Sequence, residues 1–102
     1  MSYITIPFRD DMAKAVLSGR KTATSRTKKL GEVGDSFVIA SRIFELTYIK
    51  RIILDEVVHG SWQKEGMDSI EQFKKIWAEI HPRKGYDPNQ MVYYHEFKEV
   101  KL

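Results

Sequence analysis

A chain of 102 residues with 42% hydrophobic, 12% aromatic and 30% charged side chains carries enough apolar material for one domain, residues 1–102, and excludes a disordered polymer. The lack of cysteine excludes a disulfide framework and a thiolate metal site. A net charge of +3 excludes a uniformly basic surface; Met12 to Gly31 carries six bases and no acid, leaving 11 bases against 14 acids elsewhere, so the positive charge forms one local patch. Such a patch suits a phosphate-bearing partner, or is a solvated loop with none.

At the start, Met1 to Asp11 lacks the cationic opening and apolar run of a signal peptide. No stretch approaches the ~20 apolar residues of a transmembrane helix, so a cytoplasmic location and no membrane partner are expected. Tyr3 to Ile6 reads as a short strand closed by Pro7, which is placed to open a helix through Met12, Ala15, Val16 and Leu17. Asp10 and Asp11 complement that helix's dipole, and Gly19 stops it. Thr22 to Ser25 is β-prone, Thr27-Lys28-Lys29 a basic turn, and Gly31 to Asp35 a tight reversal into the strand Ser36 to Ala40.

Two further strands, Ile43 to Ile49 and Arg51 to Leu54, are expected to divide near Lys50. The segment Val57 to Met67 reads as an irregular connection. Beyond it, Asp68 or Ser69 caps a helix carrying Ile70, Phe73, Ile76, Trp77 and Ile80 on one face, with Glu71 or Gln72 completing a capping box. His81-Pro82 ends this helix, Arg83 to Gln90 is an exposed loop, and Met91 to Phe97 is a closing strand. The pattern predicts a small α+β protein, a compact β-barrel with two main helices.

The run Ser18 to Arg26 concentrates the polar chemistry. It offers a nucleophile in Thr22 or Thr24, a base if Lys21 is deprotonated, and fixed charges at Arg20 and Arg26 for an anion or a base edge. On a regular strand Lys21 and Thr24 point to opposite faces, so a shared site requires a turn or bulge between Gly19 and Thr22, or a Lys21 side chain that bends back. His59, His81 and His95 lack metal-ligand spacing, and neither a metal nor a cofactor is expected. Trp77 fits the core face of its helix, whereas Trp62 and Tyr86 lie on connections where a base could stack.

Gly19-Arg20-Lys21-Thr22-x-Thr24-x-Arg26, then Gly34-Asp35 before a β run, Glu65-Gly66, the helix Ser69 to Ile80 and a strand ending in Glu96-Phe97 together resemble the ASCH domain of the PUA-like superfamily. That resemblance implies a PUA-like barrel with a cleft for RNA or modified nucleosides. Among small bacterial members it is similar to N4-acetylcytidine amidohydrolases, and it implies catalytic roles for Lys21, Thr24 and Glu65, with Glu71 as a competitor for the last. Arg20, Thr22, Arg26, Lys28, Lys29 and Tyr86 are the expected substrate or RNA contacts, on a monomer. A non-catalytic RNA-binding module is the alternative.

Two positions depart from the bacterial pattern: Ser25 stands where an apolar residue follows the second threonine, and the loop Arg83 to Gln90 is longer. Lys21 has two possible chemistries. It is a base if burial beside Arg20 or Arg26 removes its proton, or an oxyanion donor if the Glu65 carboxylate keeps it charged.

Overall fold

The computed structural model describes residues 2–101. Helix α1 (Asp10–Leu17) leads to strand β1 (Ala23–Arg26), then β2 (Ser36–Ile39) and the long β3 (Arg42–Ile53). Helices α2 (Leu54–Ser61) and α3 (Ile70–Ile80) follow, and β4 (Met91–Glu99) closes the chain. The strands form one antiparallel sheet in the order β1-β4-β3-β2, curled into a half-barrel, giving the α+β, PUA-like architecture.

Local chemistry explains several boundaries. Gly19, at φ 84°, follows α1; its N–H donates to the Val16 carbonyl, and the Arg20 N–H donates to that of Ala15. This pair of bonds is a Schellman stop, which favours glycine because the left-handed conformation has no Cβ penalty there. The last turn is also tied to the sheet, since Arg42 donates to the Leu17 carbonyl at 2.9 Å while forming two hydrogen bonds with Glu99. At α3, Ser69 accepts from the Gln72 N–H, and the Gln72 side chain accepts from Asp68 N–H, one residue earlier than in the usual capping box.

Three expectations are corrected. Pro7 does not open α1, which begins at Asp10; Phe8 stays on an extended segment because its ring packs against Phe37 and Phe97, 6.1 and 6.4 Å away. No break falls at Lys50, because β3 runs unbroken and its irregularity is a bulge between Leu46 and Tyr48, which increases the local twist. The segment read as strand end and irregular connection contains α2, the third helix. Leu54, Val57 and Val58 lie at i, i+3 and i+4, and their burial overrides the weak helix propensity of two valines and Gly60.

Two apolar clusters fill the curl. Ala23, Leu54, Val57, Val58, Phe73, Trp77, Val92 and Tyr94 pack under α2 and α3. Ile6, Val16, Phe37, Phe44, Leu46 and Phe97 pack under α1 and the N-terminal segment. Among the described residues, no helix is long and apolar enough to cross a membrane.

Ser69→Ala removes an N-cap whose bond is formed, so it should lower the unfolding free energy by about 1 kcal/mol in a denaturant titration.

Candidate active site

Lys21 lies two residues before β1, at a point where the chain still carries the geometry of the helix stop. Its N–H donates to the Ala15 carbonyl, and its backbone makes an isolated antiparallel bridge with Glu65. The next two amides, Thr22 and Ala23, both donate to the Lys64 carbonyl. This crossing is close: a Cβ on Gly66 would stand 2.9 Å from the Cβ of Lys21, and Gly66 adopts φ 85°. Glycine is required there for both space and backbone conformation.

The crossing brings the side chains together. Lys21 Nζ donates to the Glu65 carbonyl at 2.9 Å and to Glu65 Oε1 at 3.2 Å, with each residue only 3% exposed. An ammonium has three N–H groups, so one is left without a partner among the described residues. Burial pushes the Lys21 pKa below its ordinary value of 10.5, while Glu65 opposes that shift. The other Glu65 oxygen, Oε2, accepts from Ser25 Oγ–H at 2.6 Å. Thr24 Oγ1 instead accepts from Arg26 Nε at 3.1 Å. Arg26 also donates to the Pro7 carbonyl and lies over the Phe8 ring, 5.0 Å from its centroid.

These groups open onto a cavity of about 610 Å³ between the two apolar clusters. Lys21, Thr24, Ser25, Arg26 and Glu65 supply polar chemistry to its lining, while Phe8, Leu30, Met67, Phe73, Ile76 and Trp77 supply apolar walls. Phe73, Trp77 and His81 stack successively along α3, with centroids 6.2 and 4.3 Å apart. The volume is in the range of small-molecule sites, and a flat aromatic wall with a few fixed polar groups suits a planar, partly polar ligand.

The residues singled out in the sequence divide into two groups. Lys21, Thr24, Arg26, Lys28 and Glu65 line the cavity, and the turn required between Gly19 and Thr22 is present as the Schellman stop. Arg20 and Thr22 are exposed outside it, with Arg20 donating to the Gly66 carbonyl at 3.4 Å. Lys29 is paired with Glu32 at 2.8 Å. Tyr86 is half-buried against the α2 and α3 cluster under Lys74, away from the cavity. Glu71 is exposed in the first turn of α3.

Ser25, Trp77 and His95 take places at the site that their sequence positions do not announce directly. Strand alternation carried a signal for Ser25, since positions 21, 23 and 25 share a face. Fully buried His95 accepts from the Leu30 N–H at Nε2, which places its proton on Nδ1 to donate to the Thr24 carbonyl. Burial lowers its pKa and favours that neutral form, which ties the basic loop to β1. Among the described residues, no three His, Asp or Glu side chains gather into a metal-holding cluster.

No family model matches the chain, and a search of curated proteins finds no relative. Solved structures do match its fold. An ASCH domain from Lactobacillus crispatus JV V101 superposes with a TM-score of 0.72 at 15% identity, covering 96% of this chain and 78% of that one. The hypothetical protein PH0355 gives 0.71 at 14% identity, covering 98% of this chain and 100% of its own. Protein EF3133 from Enterococcus faecalis V583 gives 0.64 at 21% identity, covering 97% and 78%. The chain therefore has an ASCH-like fold.

A buried ion pair is most costly to break on one side. Lys21→Met and Glu65→Gln should each lower stability by roughly 3–5 kcal/mol, whereas the double variant Lys21→Met/Glu65→Met should recover most of the loss in chemical unfolding.

Proposed function

We propose that the protein is a metal-independent amidohydrolase that removes the acyl group from a modified pyrimidine nucleoside such as N4-acetylcytidine. One observation carries this reading: a buried lysine and glutamate, paired with each other, share a nucleoside-sized cavity with Thr24. Amide hydrolysis needs a proton acceptor for the attacking hydroxyl, donors for the developing oxyanion, and a proton for the departing nitrogen.

Glu65 is the acceptor in this scheme. Its partner Lys21 stays an ammonium and directs its third N–H to the acyl oxygen, because a carboxylate 3.2 Å away favours the charged form. Thr24 Oγ1 takes its hydrogen bond from Arg26, leaving its own proton to donate to the same oxygen. Glu65 then returns its proton to the nitrogen of the leaving cytidine. Lys21 and Arg26 against one carboxylate leave the site net positive, which favours an oxyanion beside the apolar walls of the cavity. Phe73 and Trp77 offer a wall for the base.

RNA binding without catalysis is supported by Lys28 at the cavity and by the surrounding basic run. A polyanion site has no need of a desolvated lysine and glutamate, however, and such pairs in a cavity favour chemistry.

Incubation with N4-acetylcytidine should release cytidine and acetate, followed by chromatography. Thr24→Val, which keeps shape and loses the hydroxyl, should reduce kcat by about 10²-fold, as the loss of one oxyanion donor does. Absence of turnover by folded wild type removes the enzymatic reading and leaves the binding one.

The pH profile tests the charge of Lys21. Activity should fall on the alkaline side as Lys21 loses its proton, starting below its ordinary 10.5. Stability should move the other way, because between the two pKa values the unfolded chain binds the extra proton and folding gains with rising pH. An alkaline limb unchanged in Lys21→Arg would contradict the assignment.

A further inference from the structure

We infer that Ser25 is the nucleophile of this site, forming an acyl-serine intermediate with Glu65 as its base. The inference rests on the deacylase reading and adds a residue that the resemblance does not supply, since the bacterial enzymes carry an apolar side chain there. Three observations converge on it. Ser25 Oγ is 2.6 Å from Glu65 Oε2, within reach for direct proton transfer. Lys21 holds the other carboxylate oxygen and fixes its orientation. Ser25, only 6% exposed, lines the cavity that would receive the acyl group.

Nucleophile, base and orienting group thus form a hydrogen-bonded row, the arrangement that activates a hydroxyl with an ordinarily high pKa. Thr24 has no such base. Its oxygen accepts from a guanidinium, which makes it a poorer electron donor and suits it to donate a proton.

Ser25 Oγ bonds to the acyl carbon while its proton passes to Glu65 Oε2, and the carbonyl electrons move onto oxygen, facing Lys21 and Thr24. Collapse of the adduct breaks the carbon–nitrogen bond, and Glu65 gives its proton to the departing amine. A water then attacks the acyl-serine and gives its proton to Glu65. The ester bond breaks, Oγ recovers that proton, and the carboxylic acid is released.

The test uses two acyl donors, N4-acetylcytidine and p-nitrophenyl acetate, with rapid acid quenching, intact mass and peptide mapping. Wild type should carry one acetyl group on Ser25 with either donor. Ser25→Ala should remain unlabelled and lose at least 100-fold in nucleoside turnover, while Thr24→Val should still be labelled at Ser25. If Ser25→Ala folds poorly, Ser25→Cys supplies the only thiol in the chain, which should take the acetyl group in its place.

An acetyl group on Thr24 or Lys21 with Ser25 free overturns the inference. So does the absence of any adduct in the quenched wild type, or a Ser25→Ala variant within twofold of wild-type turnover. Labelling of Ser25 by p-nitrophenyl acetate without nucleoside turnover would remove the nucleoside reading and keep the nucleophile. Nucleoside turnover without labelling would do the reverse.

Discussion

The pairing of Lys21 with Glu65 is the interaction on which the site depends, and it is an expensive one. Two desolvated ions gain from each other only if their geometry is fixed and their remaining hydrogen-bonding groups are served. The fold fixes that geometry largely through backbone, and the Ser25 hydroxyl serves the second Glu65 oxygen. The α1 stop delivers Lys21, the Lys64 carbonyl receives two consecutive amides from Thr22 and Ala23, and Gly66 lets the two segments cross at contact distance. Three separate parts of the chain, the end of α1, the start of β1 and the connection from α2 to α3, thereby meet at one point. Replacing Gly66 by any larger residue would press on Lys21 itself, so site geometry and local folding are not separable there.

Around that point the apolar clusters set the strength of the electrostatics. The cavity lies between them, with aromatic residues of α3 on one side and Phe8 with Leu30 on another. Low-dielectric walls raise the effect of every fixed charge beside them, so the Lys21–Glu65 pair and the Arg26 guanidinium act more strongly there than in open solvent. His95 contributes from beneath, since its neutral ring joins the Leu30 amide to the Thr24 carbonyl and holds the basic loop against β1.

Legibility in the sequence follows the range of the interactions involved. The Gly19 stop, the Gly34 reversal, the Ser69 cap and the end of α3 at His81 rest on contacts within a few residues, and each could be read directly. Helix α2 could not be, because its valines and Gly60 disfavour a helix in isolation and only packing beneath Ala23 and Val92 reverses that preference. The continuous β3 was masked for a similar reason, since Lys50 and Arg51 look like a boundary but are exposed positions on a strand paired with β4. Glu65 lies 44 residues from Lys21, and no periodicity links them; the resemblance did. Tyr86 was drawn to the cleft as an aromatic on a loop. That loop is anchored elsewhere, by the amides of Leu54 and Asp55 donating to Gln90 and Pro88.

The two hydroxyls of β1 take opposite partners. Lys21 and Ser25 both reach Glu65, one at each carboxylate oxygen. Thr24 accepts instead from Arg26, two residues along β1. The adjacent hydroxyls therefore differ in kind although both reach the cavity: one donates to a carboxylate and gains nucleophilicity, the other accepts from a cation and is left to donate. The proposed chemistry uses both, because an attacking atom and a group that receives an oxyanion require opposite polarity. On the proposed reading, an apolar side chain in place of Ser25 leaves Glu65 with water as the only group to activate. The serine at this position therefore adds to the basic side of the site a hydroxyl already within proton-transfer distance of its acceptor.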